Sequence, residues 1–153
     1  MCFSTVRLEF SHQNNTGFEN AEKEGFSKKY NGNKILWGSS YSAALAIQLA
    51  SKRKGDISAL LAFSPSTGNA VKTCHPNQYI EQIDIPLLLI RPKKEMERES
   101  SKTQLNIAKK YGHKTYIAKN GVHGSSLLVK NRVGADVNKN WNEVLNFLNT
   151  VKD

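Results

Sequence analysis

Apolar residues from Lys34 onward gather into short unbroken runs. Lys34-Ile35-Leu36-Trp37-Gly38, Ile57 to Phe63 and Ile85-Pro86-Leu87-Leu88-Leu89-Ile90 have almost no polar position within them. A strand with one wet face alternates apolar and polar side chains. A strand covered on both faces does not, and such strands belong to parallel sheets flanked by helices. Between the runs the spacing turns helical. A helix is predicted from about Ser42 to Lys52, carrying Leu45, Ile47, Leu49 and Ala50, with Lys52-Arg53-Lys54 and Gly55 as its stop signal. A second is predicted over Ser100 to Tyr111, with Leu105, Ile107 and Ala108, closed by Gly112. A third runs over Asp136 to Val151, with Trp141, Val144, Leu145 and Leu148 expected on one apolar face. His113 to Lys119 reads as a further short strand and Asn120 to Gly124 as a tight loop. Ser64 to Asp84 holds Pro65, Gly68 and Pro76 and reads as a loop with one short helix.

The first 33 residues carry a weaker pattern. Val6, Leu8 and Phe10 alternate with polar or charged partners, which suggests a short strand. Ser11 to Gly17 is a polar loop. Phe18, Ala21, Gly25 or Phe26, and Tyr30 then recur at helical spacing up to Asn31-Gly32-Asn33. No repeat, low-complexity tract or linker interrupts the chain, so residues 1–153 are expected to form a single domain. Strand alternating with helix predicts an α/β fold: three α/β/α layers around a mostly parallel sheet. In such sheets ligands collect at the carboxyl ends of the strands. Ser40, the loop after Ile90 and the loop holding His123 all fall there.

Composition narrows the possibilities. With 153 residues and 39% hydrophobic content, the chain is long enough to bury a substantial core. No apolar run approaches the ~18 residues of a membrane helix, and Met1 to Arg7 lacks the pattern of a signal peptide. Cys2 and Cys74 are the two cysteines, without metal-ligand spacing, and read as free thiols in a reducing, cytoplasmic compartment. The net charge of +9 raises the question of nucleic acid. Yet the lysines are dispersed in pairs at element ends and loops, with no basic stripe interleaved with aromatics, so no nucleic-acid or membrane partner is expected. Histidines are scattered and Cys74-His75 has no further ligands at usable spacing, so neither a metal nor a cofactor is expected.

Candidate chemistry centres on Gly38-Ser39-Ser40-Tyr41-Ser42-Ala43. An apolar strand ends in a compact polar turn and an alanine-rich helix starts at once, the layout of a nucleophile elbow. The serine of such a turn sits in strained backbone, and its neighbours two positions away must be small for strand and helix to pass closely. Gly38 fills the first small position of G-x-S-x-G and Ser40 the nucleophile. Ser42 stands where the second glycine would. A Gly/Ser turn without chemistry is the bland alternative. A serine hydroxyl needs a base, and the base needs a carboxylate to fix its tautomer. His123 follows a strand, between Gly121 and Gly124, and is the best base; His12 and His75 sit in polar loops, and His113 opens a strand and is expected to face solvent. The acid should lie between serine and histidine, just past a strand. Glu95 stands five residues beyond Ile90, with Glu97 and Glu99 as competitors.

From about Lys34 to the C-terminus the chain resembles the C-terminal half of an α/β-hydrolase, of the dienelactone-hydrolase-like or serine-aminopeptidase-like kind. The matching pieces are Gly38 to Ala43, Ala62-Phe63-Ser64-Pro65, Ile85 to Ile90, and Gly121-Val122-His123-Gly124. The resemblance implies a serine hydrolase that cleaves a carboxylic ester or similar acyl bond of a small-molecule substrate. It implies Ser40 as nucleophile, His123 as base, Glu95 as acid and the Tyr41 amide as one oxyanion donor, with no cofactor. One departure matters. Family members usually carry several strands before the elbow, one ending in a His-Gly-type turn that supplies a second oxyanion N–H; only 39 residues precede Ser40, and His12-Gln13 lacks the glycine. The place beside the elbow strand is then filled by the strand near Val6 to Phe10, or by a second copy in a homo-oligomer paired through the exposed sheet edge, or the domain is N-terminally incomplete. The alternative to the hydrolase is a truncated or non-catalytic domain that keeps the fold.

Overall fold

The run after Lys34 becomes strand β2 in a computed structural model that describes residues 4–6, 32–53, 55–68 and 75–151. Among the described residues five strands form one sheet in chain order: β1 (Ser4–Val6), β2 (Lys34–Ser39), β3 (Ala59–Phe63), β4 (Leu87–Pro92) and β5 (Lys114–Ala118). Every pairing is parallel. The register matches Ile35 with Ala59, Gly38 with Ala62, Leu60 with Leu87 and Ile90 with Tyr116. On the other side of β2, Ser4 to Val6 pair with Lys34 to Leu36, so the position beside the elbow strand is occupied from within the chain. Leu8, Phe10, His12, the helical pattern over residues 18–30, Cys2 and Cys74 lie outside the described residues.

Strand geometry sends successive side chains to opposite faces. Leu36, Leu60, Ala62, Leu87 and Leu89 face one layer, where they meet α1 (Tyr41–Lys52), the short α2 (Asn77–Ile80) and α3 (Glu99–Lys110) through Ala43, Ile47, Ile80, Leu105 and Ala108. Ile35, Leu61, Phe63, Leu88 and Ile90 face the other, against a 3₁₀ turn (Gly124–Leu128) and α5 (Asn138–Leu148), which is preceded by a single-turn α4 (Lys130–Val133). Because the strands step in one direction across the sheet and parallel crossovers are right-handed, α1 and α3 are both delivered to the same face. All five residues of β3 are buried, which explains its unbroken apolar spelling. The sheet is thus a three-layer α/β/α structure with both faces covered.

Two expectations need correction. On α5, Trp141 and Leu145 do not join the core: they are 40% and 50% exposed, whereas Val144 and Phe147 are buried. The buried stripe runs through Asn140, Val144 and Phe147 to Val151. A polar residue holds the inner position because Asn140 is fully used there. Its amide donates to the carbonyls of Asn120 and Leu127 at 2.8 Å each and accepts from the Tyr116 hydroxyl at 3.1 Å. Trp141 is left at the rim, its Nε1–H on the Leu128 carbonyl at 2.9 Å. His113 does not simply face solvent either; it is half-buried, its Nε2 3.1 Å from the Ile80 carbonyl.

Candidate active site

The elbow is built by a backbone that leaves no choice of residue at Gly38. A Cβ there would lie 2.4 Å from Ala43 Cα and 2.7 Å from Ala43 N. Strand β2 and helix α1 therefore touch backbone to backbone, and the turn between them is sharp. Ser40 absorbs it with φ 57° and ψ −114°. Such a conformation costs on the order of 1–3 kcal/mol and persists only where the surroundings over-determine it. They do. Ser40 N–H donates to the Phe63 carbonyl at 2.8 Å, and the Ser40 carbonyl accepts from Ser66 and Ala44 at 3.1 and 3.3 Å. Ser42, in place of the second glycine, spans the turn with its hydroxyl, accepting from Ser39 N–H and donating to the Ser39 carbonyl, both at 2.9 Å. Its small volume fits the passage, and its oxygen adds two bonds that glycine could not.

At the end of β4 the chain turns through a 3₁₀ segment (Lys93–Glu97) that folds Glu95 back into the protein. Glu95 is buried, while Glu97 and Glu99 are exposed. Glu95 Oε1 lies 2.6 Å from His123 Nδ1. A carboxylate can only accept, so Nδ1 carries the proton and Nε2 is left as the acceptor. The other carboxylate oxygen, Oε2, accepts from Arg91 Nη1 at 2.6 Å. Arg91 is the last charge sequence reasoning would place in a core: 4% exposed, it stands directly after the apolar run of β4. Its second arm, Nη2, reaches the Pro65 carbonyl and Gln104 Oε1. Burial pushes the guanidinium below its ordinary pKa, and the neighbouring Glu95 pulls it back up; it stays charged at any physiological pH.

The histidine loop is fastened to the elbow. Gly124, at φ 68°, would drive a Cβ into the Ser39 hydroxyl, so glycine is required at that contact. Ser125 N–H donates to Ser39 Oγ at 2.9 Å, and Gly124 N–H donates to Ser64 Oγ at 3.1 Å. Ser64, fully buried at the end of β3, has φ 47°; among the described residues it and Ser40 are the non-glycine positions with positive φ. The carboxyl ends of β2, β3 and β4 and the loop after β5 thus meet at one edge of the sheet. Ser40, Glu95 and His123 are all brought to it. The His123 side chain is 58% exposed, and among the described residues no hydrogen bond joins the Ser40 hydroxyl to its ring. Tyr41 opens α1, placing its amide in the helix's first turn. A cavity of about 570 Å³ opens beside His123, walled by Pro92, Lys94, Glu97, Arg98 and the Gly121–Val122 turn.

Two residues of this arrangement, Arg91 and Gln104, escaped the sequence, and Ser39 and Ser64 stood there only inside longer motifs with no role of their own. Arg91 left a trace, as a charge closing an otherwise apolar strand, four residues before the glutamate.

A parallel sheet with helices on both faces and a strained serine at the elbow defines the α/β-hydrolase fold, and comparison with solved structures agrees. An acylaminoacyl peptidase in complex with Z-Gly-Gly-Phe-chloromethyl ketone superimposes with a TM-score of 0.61 at 16% identity. The Pyrococcus horikoshii acylaminoacyl peptidase does so at 0.62 and 14% in its orthorhombic crystal form, and at 0.61 and 17% uncomplexed. Each match covers 88% of this chain and 26% of the peptidase, so the chain spans about a quarter of these proteins' length. At such identities the likeness is one of fold. No family model matches the chain, and no curated protein does. Among the described residues no helix is long and apolar enough to cross a membrane, and no group of three or more His, Cys, Asp and Glu is placed to hold a metal ion.

Proposed function

We propose that the protein is a serine hydrolase that cleaves a carboxylic ester or similar acyl bond through an acyl-enzyme on Ser40. The observation that carries this reading is the 2.6 Å Glu95–His123 hydrogen bond at the sheet edge where Ser40 holds its strained turn. In this mechanism Glu95 fixes the Nδ1–H tautomer of His123 and offsets the charge of the imidazolium. His123 Nε2 takes the proton of Ser40 as Oγ bonds to the acyl carbon. The same proton then passes to the leaving alcohol or amine as the acyl–leaving-group bond breaks, and water repeats the sequence to free Ser40. The Tyr41 N–H, first in α1, is the oxyanion donor; a donor of this kind is worth roughly 10²- to 10³-fold in turnover. Small acyl substrates suit a site whose base is largely exposed.

A second reading is a non-catalytic α/β-hydrolase-like domain. It is favoured by the absence, among the described residues, of a hydrogen bond between the Ser40 hydroxyl and the His123 ring. One experiment separates the two. A fluorophosphonate probe, whose phosphorus is attacked by an activated serine with loss of fluoride, should label the wild-type chain and leave Ser40→Ala unlabelled. Folded wild-type protein that takes no label would end the hydrolase reading in favour of the second.

A further inference from the structure

The guanidinium of Arg91 is an expensive object to bury. It is 4% exposed, and among the described residues its Nε–H finds no acceptor. An orphaned buried donor is destabilising, and buried ion pairs can often be replaced by apolar side chains without loss of stability. Stability alone therefore explains Arg91 poorly. Its connections suggest another reason. One arm holds Glu95 Oε2, leaving Oε1 for His123. The other arm is fixed by the Pro65 carbonyl, in the loop just after β3, and by Gln104 of α3, whose amide is itself held by Asn77 of α2 at 3.0 Å. The guanidinium that holds the carboxylate is thereby anchored to the loop after β3 and to α3, with α2 behind Gln104.

We infer that Arg91 is a positioning residue: it aims the Glu95 carboxylate at His123 and, by neutralising part of its charge, weakens the grip of His123 on a proton. This rests on the assignment of Glu95 and His123 as acid and base. In an acid–base pair with a bare carboxylate, the full negative charge favours the imidazolium. With a cation on the far side of the same carboxylate, the imidazolium gains less. Other charges around the pair are Lys94, Glu97 and Arg98, at the cavity rim on the acid's own turn. The elbow and the loop after β3 contribute Ser39, Ser40, Tyr41, Ser64 and Pro65, none of them charged near neutral pH, and α3 faces the clamp with the neutral Gln104.

The test is an NMR titration of the His123 ring, assigned among the four histidines by a His123→Asn variant, in wild type, Arg91→Met and Arg91→Lys. Removing the cation should raise the His123 midpoint by about one pH unit, the usual scale for losing a charge this near. Lysine restores the charge without the fork, and its midpoint should return towards wild type. Fluorophosphonate labelling, measured against pH, should shift its inflection the same way, so that Arg91→Met labels up to about tenfold more slowly below the midpoint. If Arg91→Met does not fold, Gln104→Glu serves instead: it is isosteric and sets a negative charge on the other arm, and it too should raise the midpoint. A midpoint that stays in place in the folded variant, with only melting temperature altered, would overturn the inference. The ring titration requires no turnover, so an unlabelled wild type would defeat the hydrolase reading while leaving the role of Arg91 to be decided by the midpoint.

Discussion

Replacing Gly38 by alanine adds one methyl group at the place where strand meets helix. The new Cβ would be 2.4 Å from Ala43 Cα, 2.7 Å from Ala43 N and 2.8 Å from the Ser42 carbonyl oxygen. Carbon atoms rest at about 3.5–4.0 Å, so more than an ångström of separation must be found between two backbones. Neither has slack. Gly38 is paired in register with Ala62 of β3, and α1 is seated on the sheet by Ala43, Ala46, Ile47 and Ala50, all buried. Overpacking typically costs about 1–3 kcal/mol, and a clash among main-chain atoms belongs at the upper end. About 3 kcal/mol corresponds to a fall in melting temperature of roughly 6–12 °C for a chain of this size. The control is Gly68→Ala, where an added Cβ meets nothing within 4 Å. Thermal unfolding by circular dichroism reads both, and fluorophosphonate labelling of the Gly38 variant at a temperature where it is folded should drop as the elbow is displaced. A melting temperature within a degree of wild type, with labelling intact, would refute the steric origin of the elbow.

Ser40→Gly should raise the melting temperature by a few degrees while abolishing labelling, because glycine adopts φ 57° without the strain of a Cβ; relief of about 1–3 kcal/mol outweighs the ~0.5–1 kcal/mol of extra chain entropy. A Ser40→Gly protein that melts below Ser40→Ala would contradict this. Glu95→Gln should slow labelling roughly 10³- to 10⁴-fold through the wrong histidine tautomer and destabilise the fold by about 3 kcal/mol through the abandoned Arg91 charge. The exposed Glu99→Gln should do neither, which stopped-time labelling and melting curves will read. On α5, Val144→Ala should cost about 1–2 kcal/mol in urea unfolding, and Leu145→Ala less than about 0.5, since the first is buried and the second half-exposed. Equal costs would mean that the packed face of the helix has been misassigned.

The chain spells much of this arrangement openly. Runs such as Ala59 to Phe63 have no polar position because β3 has no wet face, so the sheet's parallel, doubly covered character is visible in the letters. Gly38, Ser40 and the alanines behind them likewise record local sterics: each constraint acts within five residues, and short-range geometry selects residue type directly. Glu95 could be ranked ahead of its competitors only by its distance from Ile90, and on α5 the same kind of reading went astray. Hydrophobicity placed Trp141 and Leu145 inward, but Asn140 won the inner position because three hydrogen-bonding partners waited there.

What the sequence determined by itself was therefore the layered α/β order and the sharp turn at Gly38 and Ser40, since periodicity and steric necessity are properties of neighbouring residues. What only the tertiary structure decided was which carboxylate is buried against His123, which hydroxyls hold the histidine loop, and that Arg91 closes a clamp reaching to Pro65 and Gln104. Those bonds join residues up to 86 positions apart. A hydrogen bond of that span leaves no period and no motif in the chain, because its geometry exists only once the strand ends have been brought together.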